Sequence, residues 1–294
     1  MIKLGVTLPQ FTHDRERLVA GAQAAEKLGL DSMWLFDHLW PLGGPKERPI
    51  YESWTTLAYL AARTERIQLG TLVSRSTLRE PALLAKMAAT VEAIAPGRLI
   101  FAIGSGDELS RAENEAFDIP YVGGADRVPQ LVAALQCVRE CLHRSLVSLD
   151  TPYHRLEGFP PSPQPVAPPP IWIGGRSSEV LAAAGATCDG WNAWAASPEA
   201  FRREGRIVRA AAGDRAVELS WGGQVIVAED DSTANEMLGD RKAEAFILGS
   251  PETVAERMGE LVDAGAEHLI AAFPYAGRES YELLAGPVRK LLPG

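Results

Sequence analysis

Nothing in this chain approaches the ~20 consecutive apolar residues that span a bilayer. Cysteine is scarce, with three in 294 residues. Cys137 and Cys141 sit four apart in a helical pattern and Cys188 stands alone, with no CxxC or Cys/His ligand spacing. Buried thiols in a reducing compartment are therefore expected, rather than disulfides or zinc. Positive charge is in deficit, 29 Lys and Arg against 38 Asp and Glu, for a formal net charge of −9. That balance argues against a broad nucleic-acid face and against an acidic-membrane surface. There is no His-x-His pair on the first strand and no HExxH, so a metallohydrolase has no support and no metal is expected. The G-x-S-x-G elbow of the serine hydrolases is also missing. The opening MIKLGVTLP is read as entering a strand directly, with no leader, so the cytoplasm is the expected compartment.

What the chain does have is alternation. Apolar runs predict strands over 3–7, 32–36, 67–72, 99–103, 171–173, 190–194, 219–227 and 268–272. Apolar residues at helical spacing predict helices over 15–28, 53–63, 81–94, 126–142, 179–186, 198–212, 251–264 and 280–291. Residues 153–170, with the cluster PPSPQPVAPPP, cannot be helix or central strand and are read as an extended connection. Residues 228–246 read as a polar stretch. Eight strand–helix units imply an α/β fold, a single (β/α)8 TIM barrel over 1–294 with insertions around 105–125, 145–170 and 228–248. A doubly wound sheet would carry a Gly-rich fingerprint after the first strand, where this chain reads LPQF.

A barrel gathers its strand ends at one mouth, so topology alone says which residues meet. They are Gln10, Asp37 and His38, the stretch Thr71 to Arg75, Gly104 to Glu108, Gly174 to Ser177, Trp194, Gln224 and Pro274. The organising segment is RLIFAIGSGDE, a buried strand that breaks at Gly104-Ser105-Gly106 and delivers two acids, Asp107 and Glu108. As sequence neighbours those acids do not face each other as a glycosidase pair must. The segment GGRSS places Gly174 and Gly175 before Arg176, Ser177 and Ser178, offering free N–H groups and a helix N-terminus that suit a phosphate. It lacks the Gly-Lys-Ser/Thr of a Walker A loop. Asp37-His38 is a titratable pair suited to moving protons. With Trp40, Trp194 and Phe36 at the same mouth, the pocket suits a flavin-like ring carrying a phosphate.

These segments resemble the luciferase-like monooxygenase superfamily, and within it the F420-dependent oxidoreductases. The resemblance is carried by LGLDSMWLFDHLW, by IQLGTLVSRSTLREPALLAKMAATVEAIAPGRLIFAIGSGDE, by PPPIWIGGRSSEVLAAAGATCDGW and by FILGSPETVAERMGELVDAGAEHLI, which together cover most of the chain. It implies a barrel that holds a deazaflavin across its mouth, in a homodimer. Asp37 would touch the deazaflavin and His38 would donate the proton. Leu72-Val73 would form a non-prolyl cis peptide behind the ring. Arg75, Gly104, Ser105, Gly106, Gly174, Gly175, Arg176, Ser177 and Ser178 would bind cofactor. Asp107 or Glu108 would be an acid/base, and Gln10, Trp40 and Trp194 would line the substrate pocket. In the sugar-phosphate dehydrogenase branch a Glu follows the second glycine, where this chain has Asp107, and that branch's phosphate-gripping lysines have no match here. The reaction implied is hydride transfer between deazaflavin C5 and a small organic substrate. An FMN-dependent monooxygenase is the alternative within the superfamily, and a non-catalytic ligand-binding barrel the alternative outside it. The loop over 39–51, with Trp40 and Tyr51, favours an apolar or aromatic substrate.

Overall fold

The computed structural model describes residues 2–41 and 45–293. Eight parallel strands close into a barrel: β1 (Lys3–Thr7), β2 (Ser32–Leu35), β3 (Gln68–Thr71), β4 (Leu99–Gly104), β5 (Ile171–Gly174), β6 (Gly190–Trp194), β7 (Glu218–Val227) and β8 (His268–Ala272). The ring shuts where β8 lies beside β1, with Lys3 opposite His268 and Val6 opposite Ala271. Around it run α1 (Arg15–Lys27), α2 (Ser53–Ala61), α3 (Pro81–Ile94), α4 (Arg127–His143), α5 (Ser178–Thr187), α6 (Pro198–Ala212), α7 (Pro251–Asp263) and α8 (Arg278–Leu283). The local chemistry explains the helix starts. Asp14, Glu52, Ser177, Ser197 and Ser250 each accept a first-turn N–H, and α3, α6 and α7 open on proline.

Two apolar layers hold the fold. The larger fills the space between strands and helices. The smaller, inside the ring, is built on Trp34 and Trp172, whose rings lie 5.4 Å apart. Glycines on neighbouring strands make room for them: a Cβ on Gly70 would meet Trp34 at 2.6 Å, and one on Gly190 would meet Trp172 at 2.3 Å. Interior packing of this kind leaves no pore, so chemistry is confined to the rims.

The insertions differ from the sequence reading. Within 145–170, Val147–Asp150 and Arg155–Phe159 form an antiparallel hairpin ahead of the proline cluster. Val147 and Leu149 alternate inward, a period-2 signal beside a turn. The polar stretch after β7 holds a helix, Asp231–Leu238, and a further parallel strand, Phe246–Gly249. That strand pairs with the second half of β7, after the first half has served the barrel. The last helix is not continuous to 291. A π-turn over Leu284–Val288 contains Pro287, which lacks the N–H that a regular helix needs.

Candidate active site

A cavity of about 630 Å³ opens on the carboxyl ends of the strands, within the range of small-molecule sites. Val73, bonded to Leu72 through a non-prolyl cis peptide, projects into its wall. The glycines beside it are steric necessities. A Cβ on Gly104 would lie 2.6 Å from a Val73 methyl, and one on Gly174 would lie 3.0 Å away. Gly106 and Gly175, at φ +68° and +135°, turn the backbone along the same wall in conformations that suit glycine.

Asp37 and His38 diverge, as consecutive residues of an extended chain must. His38 lines the cavity. Asp37, expected to touch a bound ring, does not line the cavity and sits behind its wall. Its carboxylate is buried and filled, accepting from Ser53 Oγ at 2.6 Å, the Arg75 N–H at 2.9 Å, and Arg79 Nη1 and Nη2 at 2.9 and 3.0 Å. Arg79 also pairs with Glu52. Burial opposes the Arg79 charge, but Asp37 and Glu52 outweigh it and hold its pKa above the ordinary value.

His38 has a partner that the sequence does not advertise. Its Nδ1 lies 3.1 Å from Oε2 of Glu113, a fully buried side chain in the short helix Arg111–Ala116. Glu113 Oε1 accepts the backbone N–H groups of Leu39 and Trp40. Arg75 Nη2 stands 2.8 Å from Oε2 in an ion pair whose angle is poor for a hydrogen bond. Burial disfavours the Glu113 charge, yet His38, the Leu39 N–H and Arg75 prevail and hold its pKa below the usual carboxylate range. An anionic acceptor at Nδ1 requires the proton there, which leaves Nε2 as the working nitrogen. Arg75 borders the cavity, but its guanidinium is committed to Glu113, to Asn114 Oδ1 at 3.0 Å and to the Asp37 carbonyl at 3.0 Å. It organises the wall more than it offers a free charge.

The two acids after β4 also separate. Asp107 borders the cavity and caps the following turn, with Oδ1 accepting from the Ser110 N–H and hydroxyl at 3.1 and 3.0 Å. Glu108, the other acid/base candidate, is exposed and does not line the cavity, tied to Arg111 at 2.6 Å and to the Tyr121 hydroxyl at 3.0 Å. Ser105 lines the cavity with Gly104 and Gly106. On β5, Gly174, Gly175, Arg176 and Ser177 line the opposite side, while Ser178 sits inside the first turn of α5 and does not. Arg176 is held bidentately by Glu204 at 2.7 and 2.9 Å, so its charge is already matched. Arg127, at the start of α4, borders the same cavity with a buried Nε that has no partner among the described residues.

Of the three residues expected around a substrate, Trp194 lines the cavity and packs edge-on against Phe36 at 5.6 Å. Gln10 is fully buried and braces the β2 loop, donating to the Phe36 and Tyr51 carbonyls at 2.9 and 2.6 Å. Trp40 stands off the cavity against Phe117 and Lys46. Residues 42–44 of its loop lie outside the described residues. Gln10 and Trp40 are thus supports rather than lining, because both rings of contacts face the loop and not the mouth.

With this geometry in place, comparison with known proteins decides the kinship. The sequence pattern of the luciferase-like monooxygenase family matches residues 2–248. The chain belongs to that family. An F420-dependent glucose-6-phosphate dehydrogenase of Kineococcus radiotolerans is 27% identical over 321 residues, covering 93% of this chain and 91% of that protein. An F420-dependent hydroxymycolic acid dehydrogenase of Mycobacterium tuberculosis is 31% identical over 193 residues, 65% of this chain and 52% of that protein. Among solved structures, an F420-dependent secondary alcohol dehydrogenase in complex with an F420-acetone adduct superposes at a TM-score of 0.86, over 99% of each chain, at 17% identity. That last likeness speaks for the fold alone.

For this luciferase-like protein, the residues that sequence reading missed are Glu113, Asn114, Arg79 and Ser53. Glu113 and Asn114 are both fully buried beneath the mouth. They lie in a segment where Glu108, Glu113 and Glu115 look alike in sequence, and only the third dimension separates the buried acid from the exposed ones.

Proposed function

We propose that this chain is an F420-dependent oxidoreductase that moves a hydride between deazaflavin C5 and a small organic substrate. The observation that carries this reading is His38, which lines the cavity, is held at Nδ1 by buried Glu113 and has no partner at Nε2 among the described residues. The cavity fits such a cofactor on its own terms. Glycines 104 and 174 keep a flat backbone wall beside Val73, Gly175 and Ser177 continue that lining at the start of α5, and Arg127 Nε is a buried donor without a partner among the described residues.

When bound, F420 supplies the hydride donor or acceptor. The chain's own residues do the rest. Glu113 fixes the tautomer of His38, so Nε2 takes up or returns the proton that accompanies the hydride. Asp37, Arg75 and Arg79 form a cross-linked buried cluster that keeps the β2 and β3 loops in place beneath it. Gly174, Gly175 and Ser177 would hold the phosphate, and Asp107, with Oδ2 uncommitted among the described residues, is a second proton acceptor at the rim. The same reading takes the protein as a homodimer of the 31.7 kDa chain, which light scattering checks.

Fluorescence titration of the purified apoprotein with F420 and, separately, FMN tests the cofactor, with His38→Ala as a companion. Micromolar or tighter F420 binding with weak FMN binding is expected. Tight binding of FMN alone would replace this reading with that of a monooxygenase served by a separate reductase, and binding of neither would leave only the barrel.

A further inference from the structure

A second cavity, of about 840 Å³, lies beside the first and shares Phe11, Phe36, Arg48 and Gln224 with it. It is walled by the chain after β1 and β8 and by the insertion after β7. Among the described residues, the charged ones lining it are Arg17, Arg48 and Arg241, with no carboxylate. Three cations and no anion are unusual in a chain of net charge −9. None of the three is in an ion pair among the described residues, whereas Arg75, Arg79 and Arg176 at the neighbouring mouth all are.

Arg241 is also preorganised. Its Nη1 donates to the Leu238 carbonyl, at the end of the helix Asp231–Leu238, and to the Tyr275 hydroxyl, each at 3.0 Å. The guanidinium lies 5.0 Å over the Tyr275 ring. Nε and Nη2 are left without partners among the described residues, and that edge meets a carboxylate or phosphate through two parallel hydrogen bonds. Arg48 stacks 4.9 Å over Phe11, at the border between the two cavities. Phe246 and Phe273 complete an apolar wall. The arginines do not belong to the proposed cofactor-phosphate grip. That grip is on β5 and lines the first cavity, which neither Arg17 nor Arg241 reaches; Arg17 follows β1, four strands from β5 around the ring of eight, and Arg241 follows β7, two strands away.

We infer that the second cavity is the substrate subsite, and that the substrate is an organic anion whose carboxylate or phosphate head is held by Arg241 and Arg17 while an apolar body reaches past Phe11 toward His38. This rests on the oxidoreductase reading for its location and replaces the expectation of an apolar or aromatic substrate with one of an amphipathic acid.

The test is calorimetric titration of the F420-saturated protein at low ionic strength with 3-phenylpropionate, phenyl phosphate and uncharged 3-phenylpropanol. At least one anion should bind, with the alcohol about tenfold weaker or worse, and the better anion identifies the head group. Arg241→Gln should weaken the anion about tenfold, Arg241→Lys should recover part of that, and the Kd for F420 should stay unchanged in both. Anion binding that is absent, no tighter than the alcohol, or unaffected by Arg241→Gln and Arg17→Gln together would overturn the inference. Should F420 itself fail to bind, the function proposed above falls, and the same titrations on the apoprotein still decide this one.

Discussion

Two histidine–glutamate pairs, each with one partner fully buried, stand at opposite ends of the barrel among the described residues, and they do opposite things. At the mouth, His38 lines the cavity and gives Nδ1 to Glu113, with no partner at Nε2 among the described residues. At the closed end, where β2, β7 and β8 begin, His268 donates Nδ1–H to Glu218 at 3.2 Å and accepts the Ser32 hydroxyl at Nε2 at 2.7 Å. Ser32 Oγ accepts from Trp34 Nε1 at 2.7 Å, and Glu218 accepts from Lys3 Nζ at 3.0 Å. Serine, histidine and glutamate in that order would pass for a nucleophile and its base. Yet Ser32 and His268 are fully buried, and neither cavity reaches them. Every donor there already has its acceptor. Burial lowers the His268 pKa, against the pull of Glu218, so the ring is neutral and structural. Chemistry is set by a free nitrogen and an opening, not by the residue pair.

Removing the mouth histidine should have the largest effect. His38→Ala should slow F420 reduction by an active substrate roughly 10²–10⁴-fold, with little change in the urea midpoint. A midpoint that falls while turnover is spared would reverse the roles assigned to the two ends. Glu113→Gln should act on both quantities. It leaves the buried Arg75 charge without its carboxylate, at a cost of about 3 kcal/mol, and it loosens His38 enough to slow turnover about tenfold with a shifted pH profile. Urea unfolding alongside steady-state assays separates the two effects.

Glu218→Gln should cost about 1–3 kcal/mol by disturbing a fully satisfied buried network. Turnover per folded molecule should stay at the wild-type level, and a loss of turnover beyond the unfolded fraction would mean that the closed end takes part in the reaction. The smallest effect is in the pH dependence of stability. The His268 pKa is lower folded than its ordinary value of 6.5, so the unfolded chain binds the proton more readily. Its contribution is therefore complete above pH 6.5 and declines as the pH falls below it, by ~1.4 kcal/mol for each pKa unit of depression. His154, also lowered by burial, adds a slope of the same sign. Glu113 and Glu218 are lowered from 4.5, so their contributions are lost only below that value. Chemical denaturation between pH 8 and 5 should show a slope that shrinks in His268→Asn.

The same contrast explains what could be read from the chain alone. All eight barrel strands were legible, because buried parallel strands read as apolar runs separated by segments of helical spacing. The mouth was legible through topology, which brought His38, Gly104 and Gly174 together without coordinates. Direction was not legible. Nothing in Asp37-His38 says which side chain faces inward, and nothing in Asp107-Glu108 says which acid remains at the rim. Glu113 was hidden because a buried acid betrays itself only through partners distant in sequence, here His38 and Arg75. The strand Phe246–Gly249 was hidden by the polar helix before it, although its apolar residues match the second half of β7.

The most direct test of the central claim is a crystal structure of the F420 complex. The expected result is the deazaflavin ring in the mouth against Val73, its phosphate at Gly174–Ser177, and His38 still held by Glu113 with Nε2 turned toward the ring. F420 bound elsewhere, or His38 swung away from both Glu113 and the ring, would contradict the division of labour between the two ends of the barrel.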